Sequence, residues 1–216
     1  MAEAHRSFVP AAGADWLLPF YDPLTRLLGA DSSLRRLVEQ AQLAPGQRVL
    51  DLGCGTGALT LVAKRAHAGI EIVGLDPDAK ALARARSKAE RARLAIDFQQ
   101  GFGDALPFAD ASFDRVLSSF MFHHLESAQK PAVLREVRRV LRPGGQLHLL
   151  DFGGVGHGLG AFLARLVHRA ESLRADTDDA LPTRMREVGF VEAAETEQRN
   201  SLFGALAYYR AHRPES

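Results

Sequence analysis

Cysteine is nearly absent from this 216-residue sequence, in which Cys54 is the single one. One cysteine excludes an intramolecular disulfide and a cysteine-based metal cluster, and it is typical of a reducing compartment. The eight histidines show no metal-ligand spacing. The sequence therefore predicts no metal site.

Long apolar runs are also lacking, and no segment approaches the roughly 20 apolar residues that a membrane-spanning helix needs. The N-terminal segment MAEAHRSFVPAAGADW has no sustained apolar stretch after its charges, as a secretory signal would have. We therefore expect no membrane span and a cytoplasmic location.

A charge excess of either sign is missing, since 27 Lys and Arg residues balance 26 Asp and Glu residues to a net charge of +1. Arginines do recur in two segments, at Arg84, Arg86, Arg91 and Arg93 and again at Arg135, Arg138, Arg139 and Arg142. They alternate with Ala, Glu and apolar residues, which favours the solvated outer faces of two helices. No nucleic-acid partner is expected.

Apolar runs of strand length alternate with helical patterns from Gln47 onward. Strands are predicted at 49–52, 70–75, 95–99, 115–118 and 146–151, with helices over 58–66, 78–93 and 127–141. The segment Arg142 to Gly145 is predicted to end the last helix in a turn. Five strands separated by helices or crossovers predict a mostly parallel, doubly wound sheet with helices on both faces.

The two ends of the sequence follow other patterns. Phe190–Thr196 and Leu202–Ala211 resemble two strands joined by polar residues 197–201, which predicts a C-terminal antiparallel hairpin and a seven-stranded sheet. Residues 1–45 are predicted to form a helical cap over the mouth of the sheet, before a main domain over 46–216. Helical spacing within this cap is seen at Leu24, Leu27 and Leu28 and at Leu34, Leu37, Val38 and Ala41. A further helix is predicted after a glycine-rich link, Gly153–Gly160, from the spacing of Leu159, Phe162, Leu163, Leu166, Val167 and Ala170.

A glycine loop, Gly53-Cys54-Gly55-Thr56-Gly57, follows the first predicted strand. Its glycines allow a tight turn and close approach of the backbone to a ligand, and the next helix offers N–H groups to an anion. The ligand of an open parallel sheet binds beyond the carboxyl ends of the strands. The loop also fits a loose dinucleotide fingerprint, so a nicotinamide-dependent oxidoreductase remains an alternative.

Three aspartates refine the choice of ligand. Asp76, after the second strand, suits the ribose hydroxyls of a nicotinamide or an adenosyl cofactor, or it caps the next helix. Asp51 would repel a pyrophosphate but favours the ammonium and sulfonium of S-adenosylmethionine, unless it caps the amides of the loop. Asp104 can accept a hydrogen bond from an exocyclic adenine amine, or it is an ordinary turn residue.

Five ordered motifs, VLDLGCGTG, GLDPD, GDALPF, FDRVLSSFMFHHL and LREVRRVLRPGGQLHLLDF, resemble those of class I S-adenosylmethionine-dependent methyltransferases. The resemblance covers Pro45 to Phe152. It is greatest to the small-molecule branch that includes ubiquinone and menaquinone C-methyltransferases, which the N-terminal YDPLTRLLG also resembles.

The resemblance implies a Rossmann-like fold, S-adenosylmethionine as cofactor and a small-molecule acceptor. It also implies the parts of the cofactor that individual residues contact. The expected contacts are Asp51, Gly53 and Gly55 for the methionine part, with Cys54 and Gly57 in the same loop, Asp76 and Pro77 for the ribose, Asp104 and Ala105 for the adenine, and Ser118 and Ser119 beside the cofactor.

Methyl transfer needs alignment of the acceptor, and a base helps where the acceptor loses a proton. His123 and His124 follow the fourth strand, and we prefer His123 as the base, although the pair also suits a pocket wall. A non-catalytic cofactor-binding module and an RNA methyltransferase are further alternatives, the latter without an evident RNA-binding appendage. Substrate specificity is expected in residues 1–45 and 152–182.

Overall fold

The computed structural model describes residues 30–153, 180–201 and 204–216. A short 3-10 helix, Phe122–His124, lies between the fourth strand and the fourth helix. In chain order the regular elements are α1 (Ala30–Ala41), β1 (Arg48–Leu52), α2 (Ala58–Ala66), β2 (Glu71–Asp76), α3 (Ala79–Arg91), β3 (Asp97–Gln100), β4 (Phe113–Ser119), α4 (Lys130–Val140), β5 (Leu141–Phe152), α5 (Ala180–Glu187), β6 (Val191–Ser201) and β7 (Gly204–His212).

The strands of this described part form one sheet in the order β3-β2-β1-β4-β5-β7-β6. β1 to β5 pair in parallel, whereas β7 runs antiparallel between β5 and β6. This confirms the predicted doubly wound, seven-stranded sheet with its C-terminal hairpin. The strand order reverses between β1 and β4, so the crevice for a ligand lies at the carboxyl ends of these two strands.

Helices cover both faces of the sheet, which explains why its parallel strands have continuous apolar runs. The face under α1 and α2 buries Leu34, Leu37, Val38, Ala41, Leu59 and Ala63 against Val49, Ile72, Leu117 and Leu150. The opposite face buries Val133, Leu134, Val137 and Val140 of α4 and Met185 of α5 against Leu50, Leu52, Val116 and Leu149. The helical spacing predicted for α1 is therefore confirmed.

α1 lies along a face of the sheet rather than over its mouth. Near its C-terminus the Ala41 carbonyl accepts from Nε of Arg115, in the first half of β4, and near its N-terminus the Ser33 carbonyl accepts from the hydroxyl of Tyr208. Tyr208 pairs with Leu150, near the carboxyl end of β5. α1 thus begins on the ligand side of the sheet. Residues 1–29 lie outside the described residues, so the cap and its boundary at residue 45 stay predictions.

The linker predicted over residues 197–201 is wrong, because β6 continues through Ser201 and β7 begins at Gly204. β6 is the edge strand of the sheet, and most side chains along it are exposed. A solvated strand face accepts polar residues, so the polar composition of 197–201 suggested a loop.

The turn predicted at Arg142 to Gly145 also needs correction, because these residues belong to β5. They form an irregularity in its pairing with β4, where Phe113 pairs with Leu141 and Arg115 with Gln146. Gly144 has a φ of 72° and donates its N–H to the Arg213 carbonyl. A glycine inside a strand is typical of such a bulge.

Two further points concern the helices. α5 was not predicted, and the helix predicted from Leu159 to Ala170 lies outside the described residues. None of the helices in the described ranges has the length and apolar composition that crossing a membrane requires.

Candidate active site

The glycine loop after β1 is tied to the end of β2. The N–H groups of Gly53 and Cys54 both donate to the Leu75 carbonyl, and the N–H of Gly55 donates to Oδ2 of Asp76 at 2.8 Å. Gly53, Gly55 and Gly57 have φ values of 71°, 51° and 79°. Glycine adopts these left-handed conformations without steric cost, which is why the loop is rich in glycine.

Close packing adds a second requirement at Gly53. A Cβ at this position would lie 2.4 Å from Cγ of Met121, a residue that follows β4. The glycine loop therefore contacts the segment after β4 directly, across the point where the strand order reverses. α2 begins after Gly57, without a side-chain hydrogen bond to cap its first N–H groups.

Asp51 is fully buried beneath this loop. Its Oδ2 accepts a hydrogen bond from the Thr60 hydroxyl of α2, rather than capping the amides of the loop. Its Oδ1 is buried and has no hydrogen-bond partner among the described residues. Burial raises the pKa of Asp51 to about 7, and the negative charge of Asp76 contributes to this rise. An unpartnered carboxylate oxygen fits a cationic or hydrogen-donating ligand.

Asp76 organises the neighbouring corner of the site. Its Oδ2 accepts from Gly55 and its Oδ1 accepts from the N–H of Asp78 at 2.9 Å. The cap of α3 is Asp78, whose Oδ1 accepts from the N–H groups of Lys80 and Ala81. Asp76 is therefore not the helix cap, and each of its oxygens has a second lone pair for a ribose hydroxyl. Burial raises the pKa of Asp76 as well. Pro77 follows it, and its carbonyl accepts from Gln100.

The loop after β3 lies at the same edge of the sheet. Phe102 and Ala105 form an isolated antiparallel bridge, and both Asp104 and Ala105 are exposed. A Cβ on Gly103 would lie 3.5 Å from Cδ1 of Leu52, the last residue of β1. Asp104 and Ala105 are thus near the end of β1, as an adenine-binding role requires, and that role stays a prediction.

Side chains of two other predicted contacts have structural roles. Ser118 is fully buried and its hydroxyl donates to the Leu52 carbonyl at 2.8 Å, which joins the ends of β4 and β1. Cys54 packs into a small core with Leu82 and Phe98, so only its backbone faces the loop. Burial raises the pKa of the Cys54 thiol well above its usual value. Ser119 is partly exposed at the end of β4.

His123 pairs with Asp151 across the ends of β4 and β5. Its Nδ1 lies 2.7 Å from Oδ1 of Asp151, and its backbone N–H donates to Oδ2 at 3.0 Å. The Asp151 carboxylate also accepts from the N–H of Phe152. The ring of Phe152 packs edge-on against the imidazole of His123, with the two ring centroids 5.0 Å apart. A carboxylate that holds one ring nitrogen leaves the other nitrogen with the acceptor role that a general base needs.

Sequence reasoning missed Asp151 and Thr60 as functional residues. Asp151 was assigned only to the end of a predicted strand, although parallel neighbours end at one edge, which places it beside His123. Thr60 sits nine residues after Asp51 on the buried side of α2. Its position in the first turn of the predicted helix was the available signal.

The doubly wound sheet, glycine loop and three aspartates define a nucleoside-cofactor-binding protein of the class I methyltransferase type. Residues 49–145 match the model of the methyltransferase domain family. A demethylmenaquinone methyltransferase of Renibacterium salmoninarum is 36% identical over 93% of this chain and 90% of its own length. The chain therefore belongs to the class I S-adenosylmethionine-dependent methyltransferases, which confirms the predicted resemblance.

Two other proteins show how far the similarity extends. A demethylmenaquinone methyltransferase of Thermus thermophilus is 42% identical over 63% of this chain, which spans 62% of that relative's length. The crystal structure of the [4+2]-cyclase SpnF superposes with a TM-score of 0.72 at 21% identity, over 99% of this chain and 88% of that one. That likeness concerns the fold alone, and the fold does not specify a reaction.

Proposed function

We propose that the protein transfers a methyl group from S-adenosylmethionine to a ring carbon of a small naphthoquinol, a reduced quinone of the demethylmenaquinone type. The observation that carries the proposal is the His123–Asp151 pair, at the same sheet edge as the glycine loop. The names of the similar methyltransferases from Renibacterium and Thermus support the choice of acceptor.

The described residues fit the proposed cofactor. The unpartnered Oδ1 of Asp51 suits the ammonium of its methionine part, Asp76 suits the ribose hydroxyls, and Asp104 suits the adenine amine. When bound, S-adenosylmethionine supplies a methyl group that its sulfonium activates for displacement. A pyrophosphate would bring negative charge toward the Asp51 carboxylate, which disfavours a dinucleotide.

His123 has the role of removing a proton from the acceptor. A naphthoquinol hydroxyl that gives its proton to the imidazole becomes a naphtholate, whose adjacent ring carbon is a better nucleophile. Asp151 holds the ring in orientation and stabilises the imidazolium that forms. The ring carbon then gains the methyl group and loses its hydrogen as a proton to solvent, while the hydroxyl regains a proton.

A direct assay tests this proposal. The protein is incubated with S-adenosylmethionine and a short-chain demethylmenaquinol under reducing conditions, and the product is analysed by mass spectrometry. The expected product carries one methyl group in place of a ring hydrogen, and S-adenosylhomocysteine appears in equal amount. Binding of S-adenosylhomocysteine without any methylated quinol would favour the alternative of a non-catalytic module or another acceptor.

A cytoplasmic location and the lack of a nucleic-acid partner remain predictions of the same proposal. The first rests on the single Cys54 and the second on the balanced charge. Binding of RNA that weakens steeply with salt would favour an RNA substrate instead.

A further inference from the structure

The loop that carries Asp104 and Ala105 is held to α4 by an ion pair. Glu136 and Arg139 lie three residues apart on α4, with Nε of Arg139 2.8 Å from Oε1 of Glu136. The side chains are 22% and 30% exposed, so both are largely shielded from solvent. We name Glu136 and Arg139 the α4 clamp.

Both polar groups of one loop residue bind to this clamp. The N–H of Leu106 donates to Oε2 of Glu136 at 2.8 Å, and Nη2 of Arg139 donates to the Leu106 carbonyl at 3.0 Å. Nη1 of Arg139 also donates to the Phe108 carbonyl at 2.8 Å and to Oδ1 of Asp110 at 2.6 Å. The loop is therefore fixed at three positions that follow Asp104.

The clamp is charged under ordinary conditions. The hydrogen bond from Arg139 lowers the pKa of Glu136, so the carboxylate stays ionised at neutral pH. Hydrogen bonds to charged groups are stronger and more directional than neutral ones. The buried side chain of Leu106 adds an apolar anchor, because it belongs to the same hydrophobic core as Val133 of α4.

We infer that Glu136 and Arg139 are positioning residues that set the loop for recognition of the adenine amine. The inference rests on the proposed function, because it requires an adenosyl cofactor. Neither residue is expected to touch the reacting atoms. Asp104 lies only two residues before Leu106, so a shift of the Leu106 peptide groups moves the carboxylate that is proposed to accept from the adenine amine.

Discrimination between two ligands tests this role. S-inosylhomocysteine differs from S-adenosylhomocysteine in having a carbonyl oxygen in place of the adenine amine and a hydrogen on the adjacent ring nitrogen N1. Wild-type protein is expected to prefer S-adenosylhomocysteine by about 10- to 100-fold, the range of one hydrogen bond to a charged group. In Glu136→Ala the ratio of the two dissociation constants falls toward one, whereas turnover at saturating S-adenosylmethionine changes little.

Two variants control for stability and chemistry. Arg138→Met removes an arginine of the same helix that donates to the Gly189 carbonyl, away from the loop, and it should keep the ratio. Glu136→Gln retains an oxygen that can accept from Leu106, and it should recover part of the preference. Hydrogen exchange at the Leu106 amide, measured without ligand, should accelerate in Glu136→Ala but not in Arg138→Met.

An unchanged ratio in folded Glu136→Ala would overturn the inference and leave the clamp a purely structural feature. A wild-type protein that binds neither ligand would overturn the proposed function instead. The two failures are distinguishable, because in the second case wild type and all variants behave alike in the binding assay.

Discussion

Nδ1 of His123 lies 2.7 Å from Oδ1 of Asp151, although 28 residues separate them in the sequence. The pairing of β4 with β5 brings them together, since Ser119, the last residue of β4, pairs with Leu150 near the end of β5. A second bond, from the His123 backbone to Oδ2, fixes the carboxylate on both sides. The imidazole is thereby held at the edge of the crevice.

His123→Ala is expected to lower turnover on the quinol acceptor by about 100-fold or more, the usual range for a general base. The affinity for S-adenosylhomocysteine should change far less, because His123 lies beyond the cofactor-binding loop. Steady-state kinetics and calorimetry measure the two effects. His124→Ala, at the exposed neighbouring ring, is the control and should retain turnover. Wild-type turnover in His123→Ala would remove His123 from the mechanism.

Asp151→Asn tests whether the carboxylate acts through the imidazole. The amide keeps the size of the side chain but loses the negative charge that stabilises an imidazolium. Turnover should fall, and the double variant with His123→Ala should be no slower than His123→Ala alone. Additive losses in the double variant would show that the two residues act independently.

The affinity for S-adenosylhomocysteine should rise between pH 6 and pH 8. Burial raises the pKa of Asp51 to about 7 in the cofactor-free protein, and only the ionised carboxylate attracts the ligand's ammonium. Binding below pH 7 should therefore release protons, which calorimetry in buffers of different ionisation enthalpy detects. Asp51→Asn should bind more weakly at pH 8 and lose this pH dependence. A pH-independent affinity in wild type would contradict the role of Asp51.

The raised pKa of Asp51 also predicts how the stability of the ligand-free protein depends on pH. The pKa of Asp51 in the folded protein lies above its ordinary value of 3.8. The contribution of Asp51 to the free energy of unfolding is therefore fully present below pH 3.8 and is lost as pH rises to about 7. The full shift corresponds to roughly 4 kcal/mol. Asp51→Asn should thus unfold at higher urea concentration than wild type at pH 8, with a smaller difference at pH 5.

Gly53→Ala should destabilise the protein more than Gly46→Ala. Both glycines have positive φ, 71° and 82°, so both variants carry backbone strain of about 1 kcal/mol or more. Only a Cβ on Gly53 meets another residue, Met121, whereas a Cβ on Gly46 has nothing within 4 Å. The difference in unfolding free energy measures the contact. Equal losses would show that Met121 yields to the methyl group without cost.

His148, at the centre of β5, should make stability fall in mild acid. Burial, followed by the charges of Arg115, Arg210 and His212, lowers its pKa to about 3 from 6.5. Its stability contribution is therefore present above pH 6.5 and decreases as pH falls toward 3, by at most about 1.4 kcal/mol per pH unit. Asp51 has the opposite effect in this pH range, so the slope is measured by urea unfolding of Asp51→Asn between pH 6.5 and 5. It should flatten when His148→Gln is added to Asp51→Asn, but not when His124→Gln is added.

Much of this fold was predictable because local patterns and tertiary structure agree. Val49 to Leu52 are buried because helices cover both faces of the sheet, and a mostly apolar run is the sequence pattern of such a strand. The glycines of the following loop have φ values that other residues avoid. Asp76 was predicted correctly at the end of β2. Its bonds to the glycine loop depend on strand pairing, which sequence spacing alone does not reveal.

Other features were missed because they depend on contacts between distant segments. Arg138 and Arg139 were expected on a solvated face, but Arg138 binds the Gly189 carbonyl and Arg139 binds the loop after β3. Long cationic side chains suit either role, so composition could not distinguish them. Likewise, the edge position of β6 made its polar residues look like a linker.

Binding of S-adenosylhomocysteine and NADH to the same purified protein, compared by calorimetry, is the measurement that tests the assignment most directly. The structure predicts selective binding of S-adenosylhomocysteine, weakened in Asp76→Ala because the ribose loses its carboxylate. Binding of NADH alone would contradict the assignment of an adenosyl cofactor to this site.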